Sequence, residues 1–182
     1  MSNALTGATS DTVAIEYRDA VPGDGNELAQ VARRCFTETF GTLYRQEDLK
    51  AYLDSAYGED GLIGVLRDPA YRVRLATIDG RIIGYCTMGP VGFPGEWPTG
   101  AVELHNLYLL GPWQGEGVAP VLMDWGLNWA RERAATEIIL SVWVDNLRAK
   151  KFYQRYGFVE FGKYAFMVGE QADDDRLMRL IL

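Results

Sequence analysis

An alternating apolar run at Ala101–Leu110 leads into Gln114-Gly-Glu-Gly-Val-Ala119. From there the chain enters a stretch whose apolar residues, Val118, Val121, Leu122, Trp125 and Trp129, recur at helical spacing. A strand that feeds a glycine-rich turn and then a helix aims free backbone N–H groups and the positive helix end at one place. Proteins hold phosphate in this way. Two common versions of the arrangement do not fit. A dinucleotide fingerprint needs glycine where Pro120 stands, and a P-loop needs Gly-Lys-Ser/Thr to close the turn. Taken alone, the hexapeptide reads equally as a glycine-rich helix cap, and the rest of the chain has to decide.

Composition matters mainly for what it excludes. A length of 182 residues suits a full hydrophobic core, and 48% hydrophobic with 24% charged residues is ordinary for a globular chain. The formal charge is −7, and no block of Lys or Arg offsets it, which argues against nucleic-acid binding. No run is long enough to span a bilayer and no secretory signal opens the chain, so a cytoplasmic, membrane-free protein is expected. Cys35 and Cys86 fit buried thiols in a reducing compartment. His105 is the only histidine, which removes His-His metal sites, and no Gly-x-Ser-x-Gly elbow supplies a serine nucleophile. No metal is expected.

Residues Met1–Thr12 are small and polar and are read as a disordered tail before one domain over 13–182. Within that domain Val13–Arg18 reads as a strand, Asp24–Phe40 and Glu47–Tyr57 as helices, and Asp60–Leu66 as a further helical turn or two. Tyr71–Ile78 and Arg81–Met88 flank Asp79-Gly80, a strong hairpin signal. A Pro/Gly loop, Gly89–Gly100, carries Phe93 and Trp97. After it come the Ala101–Leu110 strand, the helix from Gly117 to about Ala135, a strand Ile138–Val144 and a helix Leu147–Tyr156. Extended segments at Phe158–Val168 and Arg176–Leu182 close the chain across an acidic turn, Glu170–Asp175. This is a mixed α/β (α+β) layout, with a right-handed crossover at its centre if the central strands are parallel.

The order and the residues resemble the GNAT superfamily of acetyl-CoA-dependent N-acetyltransferases. One motif, Gln/Arg-x-x-Gly-x-Gly/Ala, is met by Gln114, Gly117 and Ala119. A second, Asn-x-x-Ala-x-x-Phe/Leu-Tyr-x-x-x-Gly-Phe, is met by Asn146, Ala149, Phe152, Tyr153, Gly157 and Phe158. The pair stands in order with the expected strand between. Glu38-Thr-Phe, Lys50–Tyr57 and Phe161–Glu170 with Asp175 further resemble bacterial spermidine/spermine N-acetyltransferases of the PaiA type. The resemblance implies a mostly antiparallel, seven-stranded mixed sheet with a splayed parallel central pair and about four flanking helices.

It also implies acetyl-CoA as cosubstrate, with its pyrophosphate on the amides of Gln114, Gly115, Glu116, Gly117, Val118 and Ala119. Backbone groups of Leu107 and Leu109 would take the pantetheine arm, the Leu107 N–H would face the thioester oxygen, and Asn146 would add a hydrogen bond. Pro120 removes one amide donor, and weaker cofactor binding is the expected result. Tyr153 stands where the family has its general acid.

The acceptor implied is a small cationic amine such as a polyamine, and it arrives as ammonium. Freeing its lone pair at pH 7 from a pKa of about 10.4 costs roughly 4–5 kcal/mol, so a base is needed. Glu103 has the spacing at which some relatives carry a glutamate base, and strand alternation sets Glu103, His105 and Leu107 on one face. Either Glu103 or His105 could serve. Ser141 occupies the place where other relatives have a glutamate on the next strand. Glu38, Glu47, Asp48 and Asp54 on the first two helices, and Phe93 and Trp97 in the loop, are candidates for the acceptor wall. A protein N-terminus, a lysine or an aminoglycoside is the alternative acceptor, and a non-catalytic CoA-binding module the alternative of another class. The terminal strands leave an edge through which a homodimer could form.

Overall fold

The computed structural model describes residues 14–182; the expected N-terminal tail lies outside them. Within the described residues seven strands form one sheet in the order β1-β2-β3-β4-β5-β7-β6. They are β1 (Glu16–Asp19), β2 (Arg72–Ile78), β3 (Arg81–Pro90), β4 (Ala101–Leu109), β5 (Glu137–Trp143), β6 (Val159–Val168) and β7 (Gln171–Ile181). Among the described residues five α-helices flank it: α1 (Gly25–Phe40), α2 (Gln46–Ala56), the single turn α3 (Leu62–Val65), α4 (Val118–Glu132) and α5 (Leu147–Arg155). All strand pairs are antiparallel except β4 and β5, which α4 connects. This is the mixed sheet that the sequence leads one to expect.

Local chemistry accounts for the elements. Asp79 and Gly80 both take positive φ, 49° and 74°, which is the two-residue turn that matches strand twist and joins β2 to β3. α1 buries Leu28, Val31, Ala32, Cys35 and Phe36, the stripe at helical spacing. That stripe packs with Val73, Leu75 and Tyr85 on one face of the sheet. On the other face α4 buries Val118, Leu122, Met123 and Trp129 against Met88, Ile138 and Leu140. Each such side chain taken out of water contributes roughly 1.5–3 kcal/mol. Both thiols are buried and unbridged.

Three expectations need correction. The first strand is Glu16–Asp19, shifted toward the C-terminus from the expected Val13–Arg18. The acidic segment Glu170–Asp175 is not a turn: only Gly169 and Glu170 make the bend, and β7 runs unbroken from Gln171. Acidic composition mimics a loop, yet Asp173, Asp175 and Leu177 are buried at alternate positions as strand residues are. Finally, β4 bulges. Thr87 faces Asn106 and Met88 faces Leu104, which leaves His105 as the extra residue. Leu104 and Leu107 therefore pack on the same α4 side of the sheet, and Leu107 does not share a face with Glu103 and His105.

Candidate active site

β4 and β5 pair only through Ala101–Glu103 and Glu137–Ile139, and beyond these residues they part. One edge of Leu104–Leu109 is thereby left without a strand neighbour. The Leu110 N–H donates to Ile83 O on β3 at 3.0 Å. Alternation then turns the N–H and C=O groups of Leu109 and Leu107 the other way, into the gap. Gln114 Nε2 already donates to one of them, Leu109 O, at 3.2 Å.

The gap opens into a cavity of about 600 Å³. Its floor at one end is the glycine loop. Gly115 and Gly117 have φ of 96° and 81°, a region that only glycine enters freely. A Cβ at Gly117 would meet nothing within 4 Å, and one at Gly115 would meet only Arg148 Nη2, at 3.6 Å. Backbone conformation is therefore what requires these glycines, and the space above them is open. Gly117 starts α4, and Pro120 occupies its first turn without an N–H to offer.

α5 brings its own N-terminus to the same end. Asn146 caps it, Oδ1 accepting from the Ala149 N–H at 3.1 Å, and its side-chain NH₂ is the group left for a ligand. Arg148, Lys151 and Arg155 of α5 line the cavity, and Arg148 Nη1 donates to Gln114 Oε1 at 2.9 Å. Gln114 is thus a strut between the β4 end and Arg148. Its side chain is committed on both sides. Glu116 and Val118 do not line the cavity with their side chains: Glu116 points to solvent and Val118 into the core.

Tyr153 sits between the two ends, on α5. It is 8% exposed, packs between Phe152 and Phe158, and reaches the cavity. Burial, with a smaller contribution from Cys86, pushes its phenol well above the usual value, so it keeps its proton at neutral pH.

The far end differs in character. Phe36 and Phe40 of α1, Tyr44, Tyr52 of α2, Trp143 of β5 and Phe166 of β6 form a continuous aromatic wall. Ser141 and Asp175 complete it. Burial raises the Asp175 carboxyl to about 6, a shift that the Ser141 hydroxyl opposes and the charges of Asp173 and Asp174 reinforce. Next to it the Tyr44 hydroxyl donates to the Asp173 carboxylate.

Of the two candidate bases, His105 lines the cavity and Glu103 does not. Glu103 lies behind it: Oε1 is 3.0 Å from His105 Nδ1, and Oε2 accepts from the Gly92 N–H at 2.8 Å. The candidate acceptor residues fall elsewhere. Glu38 pairs with Arg34, Glu47 with Arg45, and Asp54 with Arg33 and Lys50, on helix faces outside the cavity lining, where Asp48 is also absent. Trp97 Nε1 donates to Phe93 O, and both rings pack on β6 through Phe161 and Tyr164. Sequence reasoning gave no site role to Asp175, named only as part of a family likeness and placed in the apparent acidic turn, or to the α5 cations. A signal existed for the latter: Arg148, Lys151 and Arg155 recur at three- and four-residue steps on one face of a short helix.

Comparison with known proteins agrees with this geometry. The model of the acetyltransferase (GNAT) family matches residues 26–158. The chain belongs to that family and is an acetyl-CoA-dependent N-acetyltransferase. It is 32% identical over 155 residues to an uncharacterized N-acetyltransferase of Mycobacterium tuberculosis, covering 85% of this chain and 96% of that one. An uncharacterized N-acetyltransferase of Lactobacillus delbrueckii subsp. lactis is 28% identical over 158 residues, which are 86% and 91% of the two chains. Among solved structures, the PaiA N-acetyltransferase of Thermoplasma acidophilum in complex with coenzyme A matches the fold with a TM-score of 0.75. The match covers 93% of this chain and 99% of that one at 20% identity.

Proposed function

We propose that the protein acetylates the primary amine of a small cationic acceptor of the polyamine kind. One observation carries the reading: a single cavity is cationic at the glycine-loop end, through Arg148, Lys151 and Arg155, and carboxylate-bearing and aromatic at the other. A polyanion suits the first end and an ammonium group the second.

Acetyl-CoA, when bound, supplies an acetyl group activated as a thioester. The residues present suit it. Amides of Gln114, Gly115, Glu116, Gly117, Val118 and Ala119 offer donors to a pyrophosphate, with Arg148 above them. The Leu107 and Leu109 backbone groups extend the sheet edge to an amide-bearing arm. The Leu107 N–H donates into the gap, where negative charge on an oxygen is stabilised. Asn146 NH₂ adds a donor from the opposite side of the gap. Tyr153 Oη holds a proton and is the cavity's donor to a departing thiolate. Glu103 and His105 stiffen the bulged segment of β4 beside the Leu107 donor.

Release of free thiol from acetyl-CoA, measured with spermidine, a lysine peptide and an aminoglycoside, tests the reading. Turnover with spermidine is expected. Turnover confined to the peptide or the aminoglycoside refutes the acceptor class, and binding of acetyl-CoA without turnover on any amine refutes the activity.

A further inference from the structure

His105 reaches the cavity, yet both of its ring nitrogens are engaged, and Glu103 sits behind it, outside the cavity lining. The carbonyl of Pro90 only accepts, so His105 Nε2, 3.0 Å away, must donate to it. Nδ1 then faces Glu103 Oε1 at 3.0 Å. Glu103 Oε2 is held by the Gly92 N–H. The pair is closed on the strand and the loop behind it.

Asp175 is placed differently. It stands on β7, opposite Trp143 of β5 and Tyr164 of β6 in register. Its residue is 7% exposed, and it lines the cavity among rings of Phe36, Tyr52, Trp143 and Phe166. Among the described residues Asp175 makes no salt bridge, since Arg176 is taken up by Asp174 and Glu160; a carboxylate so placed in an aromatic chamber attracts one ammonium group strongly, because ring faces and carboxylate add in a low-dielectric setting. We propose that Asp175 draws the acceptor's ammonium group into the aromatic end of the cavity and takes its proton. The inference rests on the reading of the cavity as an amine acetyltransferase site.

In that step one N–H bond of the ammonium breaks, its electron pair stays on nitrogen as the nucleophile's lone pair, and the proton bonds to an Asp175 oxygen. A cation and an anion become two neutral groups. Burial favours this exchange from both sides, since it lowers an ammonium pKa and raises that of a carboxyl. Asp175 already lies at about 6 before any ligand arrives. The groups that face it are Asp173, Asp174 and Arg176 of β7, Ser141 of β5, Tyr164 of β6, Tyr52 of α2 and Tyr44 of the α1–α2 connection. None of these except Asp173 and Asp174 is a carboxylate, and Tyr44 engages Asp173 while Arg176 pairs with Asp174.

The test uses spermidine as the probe, with Asp175→Asn, Asp175→Glu and Glu103→Gln. Thiol release followed from pH 5 to 9 gives kcat/KM, and calorimetry without acetyl-CoA gives spermidine affinity. The wild type is expected to lose kcat/KM below about pH 6, while Asp175→Asn loses that limb, at least about 100-fold in kcat/KM, and about 10-fold in affinity. Asp175→Glu restores part of the limb, and Glu103→Gln retains it whatever its rate. An Asp175→Asn variant that keeps the limb, or a Glu103→Gln variant that abolishes it, overturns the assignment. Wild-type protein that acetylates no amine counts against the function proposed above; calorimetry then decides for Asp175, and equal spermidine affinity in wild type and Asp175→Asn overturns it.

Discussion

Replacing Asp175 with asparagine should stabilise the protein at neutral pH and leave its stability unchanged in acid. Burial lifts this carboxyl from 3.8 to about 6, with the neighbouring charges of Asp173 and Asp174 adding to the lift. The folded state therefore holds the Asp175 proton over a pH range in which the unfolded chain has released it. Stability from this group is at its fullest below about pH 4, falls as pH rises through the window from 4 to 6, and above 6 the fold bears the whole cost of the buried charge. At 1.36 kcal/mol per pH unit the displacement is worth about 3 kcal/mol. Solvent in an open cavity screens part of this, which leaves roughly 1–2 kcal/mol. Asparagine keeps the shape and removes the charge, so that amount is recovered at pH 7–8. For a chain of this size it is about 3–6 °C in Tm. Urea unfolding of both proteins at pH 4, 5, 6, 7 and 8 measures it directly. The gain should rise from nothing at pH 4 to a plateau above pH 6. A stability difference that is the same at pH 4 and pH 8, or an asparagine variant weakened selectively at high pH, refutes the reasoning. Stability gained where activity is lost marks a group retained for its chemistry.

Further outcomes are open to measurement. Tyr153→Phe keeps the packing against Phe152 and Phe158, and should lower kcat by one to three orders of magnitude while leaving coenzyme A affinity within about twofold; wild-type turnover counts against a proton donor at this position. Pro120→Ala restores an amide in the first turn of α4 and should tighten coenzyme A binding by about 3–10-fold in calorimetry, the size of one ordinary hydrogen bond. Arg148→Ala should weaken coenzyme A binding about 10-fold at low ionic strength and by less at 0.5 M salt, because the lost contact is electrostatic. Gly117→Ala should cost about 1 kcal/mol or more of stability, since φ of 81° strains any side chain there although nothing stands in its way.

Local signals in this chain were legible where one force dominated. Asp79-Gly80 can hardly be anything but a tight turn, and the stripe Leu28, Val31, Ala32, Cys35, Phe36 has one helical face. The loop Gln114–Ala119 announced itself because glycine spacing and helix onset coincide, and the structure sets it at the mouth of the gap. Three features were not legible, each for a physical reason. The β4 bulge at His105 depends on how β3 pairs with it, which no period in β4 alone records. Asp173 and Asp175 alternate as core residues do, but acidic side chains are normally read as solvated, and only the hydrogen bonds of Tyr44 and Gln171 to Asp173 and the opening of Asp175 on the cavity make buried positions tolerable. Arg148 and Gln114 are 34 residues apart and meet only once the two helix N-termini converge. The charged helix residues Glu38 and Asp54 drew attention by composition, while their partners Arg34, Arg33 and Lys50 keep them at the surface.

The brief pairing of β4 with β5 has a mechanical side. Three residue pairs, Ala101–Glu103 on Glu137–Ile139, are the rungs that join β1–β4 to β5–β7. Within each half all neighbouring strands are antiparallel and share four or more residue pairs, so this seam is the shortest ladder of the sheet and the slightest join between its two leaves. A cofactor arm held on the Leu107 and Leu109 edge, as proposed above, would act as a stitch across that seam. Slow amide exchange in Leu107 and Leu109 would then be a property of the loaded enzyme, and the two leaves would breathe together only while the cosubstrate is in place.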